Sequence, residues 1–287
     1  MMGSMDDWFI HGAVIFGVLV VAPMAMSLSN RLQGRSRIPR WVPVAAGAMA
    51  ATSFLVSPGV AAAGLCIPWL AVCVVAGLEK VGNPRTLVAR LPYLLPHAYL
   101  AFGAGWLILS RYGARPLDFP SVIVELTAVH FHYAGFVAPV VIAATRSGQA
   151  RARPGLLVAL WLALAASPLT AIGFVYSATI GAVGAVMFTC GLVVWSVITL
   201  VVVVPNLPGG ARSLLAVAAG SVLVSMSLAS LYAIGVAAGE AWIDVPTMAR
   251  THGILNAVGF AFCGTAAWLA IDKPVPRGPQ RAGVFLS

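Results

Sequence analysis

The chain is 287 residues long; 60% of its residues are apolar and only 9% are charged. Soluble globular proteins carry about 25% charged residues, so this composition excludes an ordinary soluble domain and predicts a surface that faces the lipid bilayer. The net charge of +9 comes from short basic clusters between long apolar runs. Because no basic face with interleaved aromatic residues is present, a nucleic-acid-binding protein is also excluded.

A membrane-spanning helix needs about 20 mostly apolar residues, because the hydrocarbon core is about 30 Å thick. Nine stretches meet this requirement. We therefore predict an all-α, polytopic helical bundle in a bacterial cell membrane, a single domain over residues 1–287 with no soluble domain. In chain order the predicted spans are 8–29, 41–57, 59–78, 92–110, 120–144, 155–175, 178–204, 213–238 and 249–271.

Basic residues are distributed unevenly between the two sets of loops. Fourteen of the 17 Lys and Arg residues follow the odd-numbered spans, and only Arg111, Arg115 and Arg250 fall on the other side. The positive-inside rule therefore predicts an N-terminus outside the cell and a cytoplasmic C-terminus. The fourteen residues are Arg31, Arg35, Arg37, Arg40, Lys80, Arg85, Arg90, Arg146, Arg151, Arg153, Arg212, Lys273, Arg277 and Arg281.

The fifth predicted span concentrates the ionisable residues, with Glu125, His130 and His132 inside one apolar segment. Such groups are costly in a membrane and are candidates for function, so we take these three as the candidate catalytic residues. Glu125 and His132 are seven positions apart, so they share a face of the helix and are expected to act together. His130 and His132 point about 200° apart, which argues against a metal site built from that pair.

The ninth span supplies a second polar group. His252 and Asn256 are four positions apart and share a face, with Phe260 one turn deeper. Together with Tyr133 and Phe136 of the fifth span, these residues are the predicted substrate-binding residues. All candidates lie at outer or middle depth, so the predicted pocket opens outward or into the outer leaflet.

Structural interpretations stay open for the same residues. Glu125 and His132 could be a hydrogen-bonded pair between helices, and His252 and Asn256 could join two helices. The remaining polar candidates are expected at the membrane interface or in a solvated loop; they are His11, His97, Glu240 and Asp244.

Two motifs resemble those of the YndJ-like family of bacterial membrane proteins, which is commonly labelled as transporters. The motifs are His130-Phe-His-Tyr-Ala-Gly-Phe136 and His252-Gly-Ile-Leu-Asn-Ala-Val-Gly-Phe260. The resemblance extends from the fifth to the ninth span. It implies a polytopic membrane protein and leaves the activity open.

The size, composition and buried acid also resemble, without a shared motif, the small membrane-bound terpene cyclases that close meroterpenoids, including indolosesquiterpenes. This resemblance implies that Glu125 protonates an epoxide or alkene, with His132 setting its protonation. An apolar pocket favours a protonated carboxyl and shelters a carbocation from water. We therefore expect a protonation-initiated cyclase that needs no cofactor and acts on a lipophilic isoprenoid.

Two alternatives are a proton-coupled transporter and a haem protein. The segment from His130 to Tyr133, with His252-Gly253, resembles the haem-ligating helices of haem-copper oxidases, although the copper-site motif is absent. A transporter needs an ionisable group reachable from both sides, and only His97 lies near the cytoplasmic half. The sequence makes no prediction of oligomeric state.

Overall fold

The computed structural model describes residues 5–34, 36–81, 87–148, 153–240 and 242–271, all in helices or short connections. Six of the basic residues counted above lie outside this part of the chain: Arg35, Arg85, Arg151, Lys273, Arg277 and Arg281. Within it the fold is an all-α bundle, which confirms the predicted class.

Eight helices of the described chain are long and apolar enough to cross a membrane, and a ninth is shorter. We number them in chain order: α1 Trp8–Gln33, α2 Trp41–Leu55, α3 Val60–Val81, α4 Arg90–Tyr112, α5 Ser121–Ser147, α6 Pro154–Tyr176, α7 Ala178–Asn206, α8 Gly209–Ala238 and α9 Val245–Ala270. These bounds agree with the nine predicted spans to within a few residues.

Helix α2 is the exception in length. Its 15 residues rise about 22 Å, less than the thickness of the hydrocarbon core. It ends early because Val56 takes an extended conformation ahead of Pro58 and Gly59. Its two ends nevertheless lie at opposite ends of the bundle, because Arg37 just before it contacts Glu79 and Ser53 near its end contacts Arg111. Among the described residues, successive helices therefore still run in alternating directions.

We call the end of the bundle where α1 begins the outer end, following the predicted orientation, and the opposite end the inner end. At the inner end, Glu79 of α3 accepts hydrogen bonds from Ser36 and from the backbone of Arg37, just before α2 begins. Arg31 donates to the carbonyl of Leu269 at 2.9 Å, which joins the ends of α1 and α9. Arg31 and Arg37 therefore lie at the same end of the bundle.

Helix α5 is the most buried of the long helices and packs against α1, α4, α6 and α9. At mid-depth, π-helical segments of α1, α5 and α9 contact one another: Gly17–Val21, Phe131–Val137 and Leu255–Phe262. A switch to π-helical bonding leaves a backbone carbonyl without its usual amide partner, and such segments are frequent at functional sites. The centre of the bundle is therefore built from locally widened helices.

Candidate functional site

Glu125 lies on the second turn of α5 and faces α1. Its side chain is buried, and Oε2 lies 3.3 Å from Nε2 of His11. The other oxygen, Oε1, is buried without a hydrogen-bond partner among the described residues. One carboxyl oxygen is thus engaged by an imidazole while the other is left for a further donor or acceptor.

His11 is the partner of Glu125, a role that the helical spacing predicts for His132. Its expected position at the membrane interface stays a prediction. Its side chain keeps about a third of its surface exposed, so the pair can be reached from the outer end. His11 and Glu125 are 114 positions apart. Their similar predicted depth in the membrane is the only signal in the sequence that indicates they are close.

Arg111, which is predicted from the sequence to lie in a loop, is a second charged group at the outer end of α4. It is only 5% exposed, and it donates to the carbonyls of Ser53 and Val56 at the end of α2. Its guanidinium carbon lies 4.5 Å from the ring centroid of Phe54. The Phe54 ring also packs against the ring of His11, with the two centroids 5.0 Å apart. Arg111 also lies close enough to Glu125 for their charges to attract.

His132 does not pair with Glu125, because seven helical residues separate the two along the axis by about 10 Å. Its Nδ1 lies 2.7 Å from the carbonyl of Ala128, and its Nε2 lies 2.9 Å from the indole Nε1 of Trp69. The indole N–H can only donate, so Nε2 accepts and Nδ1 carries the proton. The Trp69 and His132 rings are nearly parallel, with an interplanar angle of 14° and centroids 5.9 Å apart. His132 is therefore a fully bonded, neutral imidazole in the core.

His130 points away from this core, as predicted. Its ring is exposed. Nδ1 lies 2.7 Å from the carbonyl of Leu126 and donates to it. His130 also lies close enough to His252 of α9 to interact with it electrostatically.

His252 bonds to Ser225 and so joins α9 to α8, whereas Asn256 bonds to His252 within α9. The amide nitrogen of Asn256 lies 3.0 Å from Nε2 of His252, and Nδ1 of His252 lies 2.9 Å from the carbonyl of Ser225. Both residues are half-buried. Since both ring nitrogens of His252 are engaged, this residue could ligate a haem only by releasing one of these bonds.

The three aromatic residues predicted to bind substrate are core residues in this conformation. Tyr133, Phe136 and Phe260 are all buried. The Tyr133 hydroxyl donates to the carbonyl of Ala13 in α1, and Phe260 packs edge-on against Trp195. They pack in the core beside the π-helical segments, and their role in binding substrate stays a prediction.

The loop carboxylates at the outer end have ordinary surroundings. Asp244 caps α9 by accepting from the backbone N–H of Thr247 at 2.7 Å, and hydrogen bonds from Thr247 hold the pKa of Asp244 below its usual value. Glu240 is exposed beside a shallow pocket of about 350 Å³. Among the described residues, no group of three His, Cys, Asp or Glu side chains is placed to hold a metal ion.

Two further ionisable residues are buried towards the inner end. His97 of α4 is 1% exposed, packs edge-on against Phe136, and donates to the carbonyl of Tyr93. Lys80 of α3 is 6% exposed and donates to the side-chain oxygen of Asn30 at 2.8 Å. His97 is thus a core residue and not the interfacial one that was expected.

Comparison with known proteins gives a family and no activity. The sequence profile of the family described as YndJ-like protein matches residues 12–260, which includes both motifs singled out in the sequence. The chain is similar to a protein of Bacillus subtilis (strain 168) that bears the name Uncharacterized membrane protein YndJ, with 24% identity over 177 residues, or 61% of this chain. It spans about a third of that relative's length (32%). No solved structure matches.

Proposed function

We propose an enzymatic function for this chain, which belongs to the YndJ-like family and is a multi-pass membrane protein. It is an acid/base enzyme that protonates a lipophilic isoprenoid and so starts its cyclisation. The observation that carries the proposal is the pair of Glu125 and His11. A buried carboxyl binds an imidazole through one oxygen and keeps the other oxygen without a partner. This arrangement suits a general acid, which needs one free oxygen for its substrate and a neighbour that returns the proton.

The proposed reaction consists of proton transfers and ring closure, so it needs no cofactor. Glu125 transfers its proton to an epoxide oxygen or an alkene carbon, and another double bond attacks the cation that forms. A carbon next to the final cation then gives up its proton to water, and the electrons of that C–H bond form the double bond of the product. His11, partly exposed at the outer end, returns a proton to the carboxylate from water. The nearby guanidinium of Arg111 compensates the negative charge that remains on Glu125 after the transfer.

The test is conversion of a synthetic prenylated epoxide by membranes that contain the protein. Glu125→Gln keeps the shape of the side chain and removes the transferable proton, so we expect turnover to fall at least 10³-fold, towards the upper end of the usual effect of a general acid. Glu240→Gln, at an exposed carboxylate outside the site, is the matched control and should convert at the wild-type rate. Conversion by Glu125→Gln at the wild-type rate would reject the proposal.

A second candidate, proton-coupled transport, is favoured by one specific observation. Two more buried ionisable residues, His97 and Lys80, lie between the Glu125–His11 pair and the inner end, and they are close enough to interact electrostatically. A carrier would use such groups to pass a proton across the membrane. The two functions differ in what His97→Phe does: it should stop uptake driven by a proton gradient if the chain is a carrier, and should leave isoprenoid turnover within a few-fold if the chain is an enzyme.

A further inference from the structure

The end of α2 is held in place by one residue of α4. Helix α2 closes with a 3₁₀ turn, Ser53–Leu55, and the chain becomes extended at Val56. The buried guanidinium of Arg111 donates to the carbonyls of Ser53 and Val56, at 3.0 and 2.8 Å. The backbone carbonyl of Arg111 accepts from the N–H of Gly59 at 2.8 Å. Hydrogen bonds on both sides of the turn therefore fix it against the outer end of α4.

This turn brings Phe54 into contact with the Glu125–His11 pair. The guanidinium carbon of Arg111 lies over the Phe54 ring, 4.5 Å from its centroid. The rings of Phe54 and His11 have centroids 5.0 Å apart and are inclined by 55°. Nε2 of His11 in turn lies 3.3 Å from Oε2 of Glu125. A continuous series of contacts thus joins the fixed end of α2 to the carboxyl group.

The ring of His11 needs packing to stay turned towards Glu125, because about a third of its side chain is exposed. An exposed side chain exchanges between rotamers, whereas contact with an aromatic ring favours one of them. A pair of aromatic rings changes such a local equilibrium by about three- to tenfold. Phe54 has no ionisable group, so it takes no part in proton transfer and acts on the pair through packing.

We propose that Phe54 is a positioning residue that holds the imidazole of His11 on the carboxyl of Glu125. Arg111 fixes the turn that carries this ring, because it bonds to the carbonyls that flank Phe54 in the chain. The inference deepens the proposed function and rests on it, since an imidazole held on Glu125 can return the proton that the reaction consumes. Phe54 acts through His11 and does not touch the substrate.

The first test measures the His11–Glu125 contact itself. Full-length protein in lipid vesicles, with ¹⁵N-labelled histidine and ¹³C-carboxyl-labelled glutamate, is studied by magic-angle-spinning NMR, and dephasing of the carboxyl signal by nearby ¹⁵N reports the paired fraction. The difference from His11→Phe isolates this pair. In Phe54→Leu, the ratio of paired to unpaired His11 should fall about three- to tenfold. Phe54→Tyr, which keeps the ring, should retain the wild-type ratio, as should Leu55→Ala on the same turn, where the side chain is 86% exposed.

The second test measures isoprenoid turnover per folded protein. Phe54→Leu should lower kcat about three- to tenfold and leave KM unchanged, since the residue lies outside the substrate contacts; Phe54→Tyr should restore kcat. If Phe54→Leu fails to fold, Arg111→Lys replaces it in the NMR measurement, because it frees the turn and keeps the ring. A wild-type dephasing ratio in the variant would overturn this inference and leave Glu125 as the proposed acid. The predicted loss of dephasing in a protein that converts no isoprenoid would reject the proposed function and leave the positioning of His11 by Phe54 standing.

Discussion

Replacing Trp69 by Phe tests whether His132 is a structural residue. The substitution removes the indole N–H and leaves Nε2 of His132, a 3% exposed residue, as a buried acceptor without a donor. An unsatisfied buried acceptor costs about 1–3 kcal/mol. The smaller ring also leaves a cavity of roughly 40 Å³, which adds about 1 kcal/mol at about 24 cal/mol per Å³. We expect the free energy of unfolding to fall by about 2–4 kcal/mol.

The assay is reversible unfolding in mixed detergent micelles. Trp106→Phe is the matched control, because its indole packs against Phe102 and Phe119 and has no hydrogen bond within the described residues. In the double variant of Trp69→Phe with His132→Phe no acceptor remains, so the combined loss should be about 1–2 kcal/mol smaller than the sum of the single losses. A Trp69→Phe protein as stable as the wild type would refute this account of His132.

Three further predictions concern the hydrogen bonds of Arg111, the close approach of helices at Gly259 and the orientation of the chain in the membrane. Arg111→Lys keeps the charge but loses the paired hydrogen bonds to the end of α2, so stability and turnover should both fall; turnover per folded protein measures the second effect. Gly259→Ala places a methyl group against the side chain of Ser221 and should destabilise the protein by about 1–3 kcal/mol in unfolding assays, whereas Gly253→Ala, with 3.8 Å to the nearest atom, should be tolerated. A reporter fused after Gly239 should be found outside the cell, and a cytoplasmic signal there would contradict the predicted orientation.

The sequence could predict the bundle because its main determinant, the length of each apolar run, is local. Apolar length sets where a helix crosses the membrane, and all nine predicted spans correspond to helices. The early end of α2 was missed because it depends on the backbone conformation at Val56 rather than on hydropathy. The π-helical segments were also missed, since the regular 100° periodicity used for the prediction assumes an unbroken α-helix.

The candidate site could be predicted only in part. Glu125 was found because a carboxylate inside an apolar span is costly wherever it lies. Its partner was assigned wrongly because the periodicity of one helix reports which residues share a face but not what another helix brings to that face. His11, on a different helix, takes the place given to His132. Burial of Phe136 and Phe260 likewise depends on neighbouring helices and has no signal in their own segments.

The central claim is that Glu125 and His11 form the acid of an enzyme, and the rate of isoprenoid turnover in two histidine variants tests it most directly. Rates are compared per folded protein for His11→Phe and His132→Phe. The account predicts that His11→Phe is at least about 100-fold slower than the wild type, because the proton is no longer returned to Glu125, while His132→Phe stays within a few-fold. A wild-type rate in His11→Phe together with a large loss in His132→Phe would contradict it.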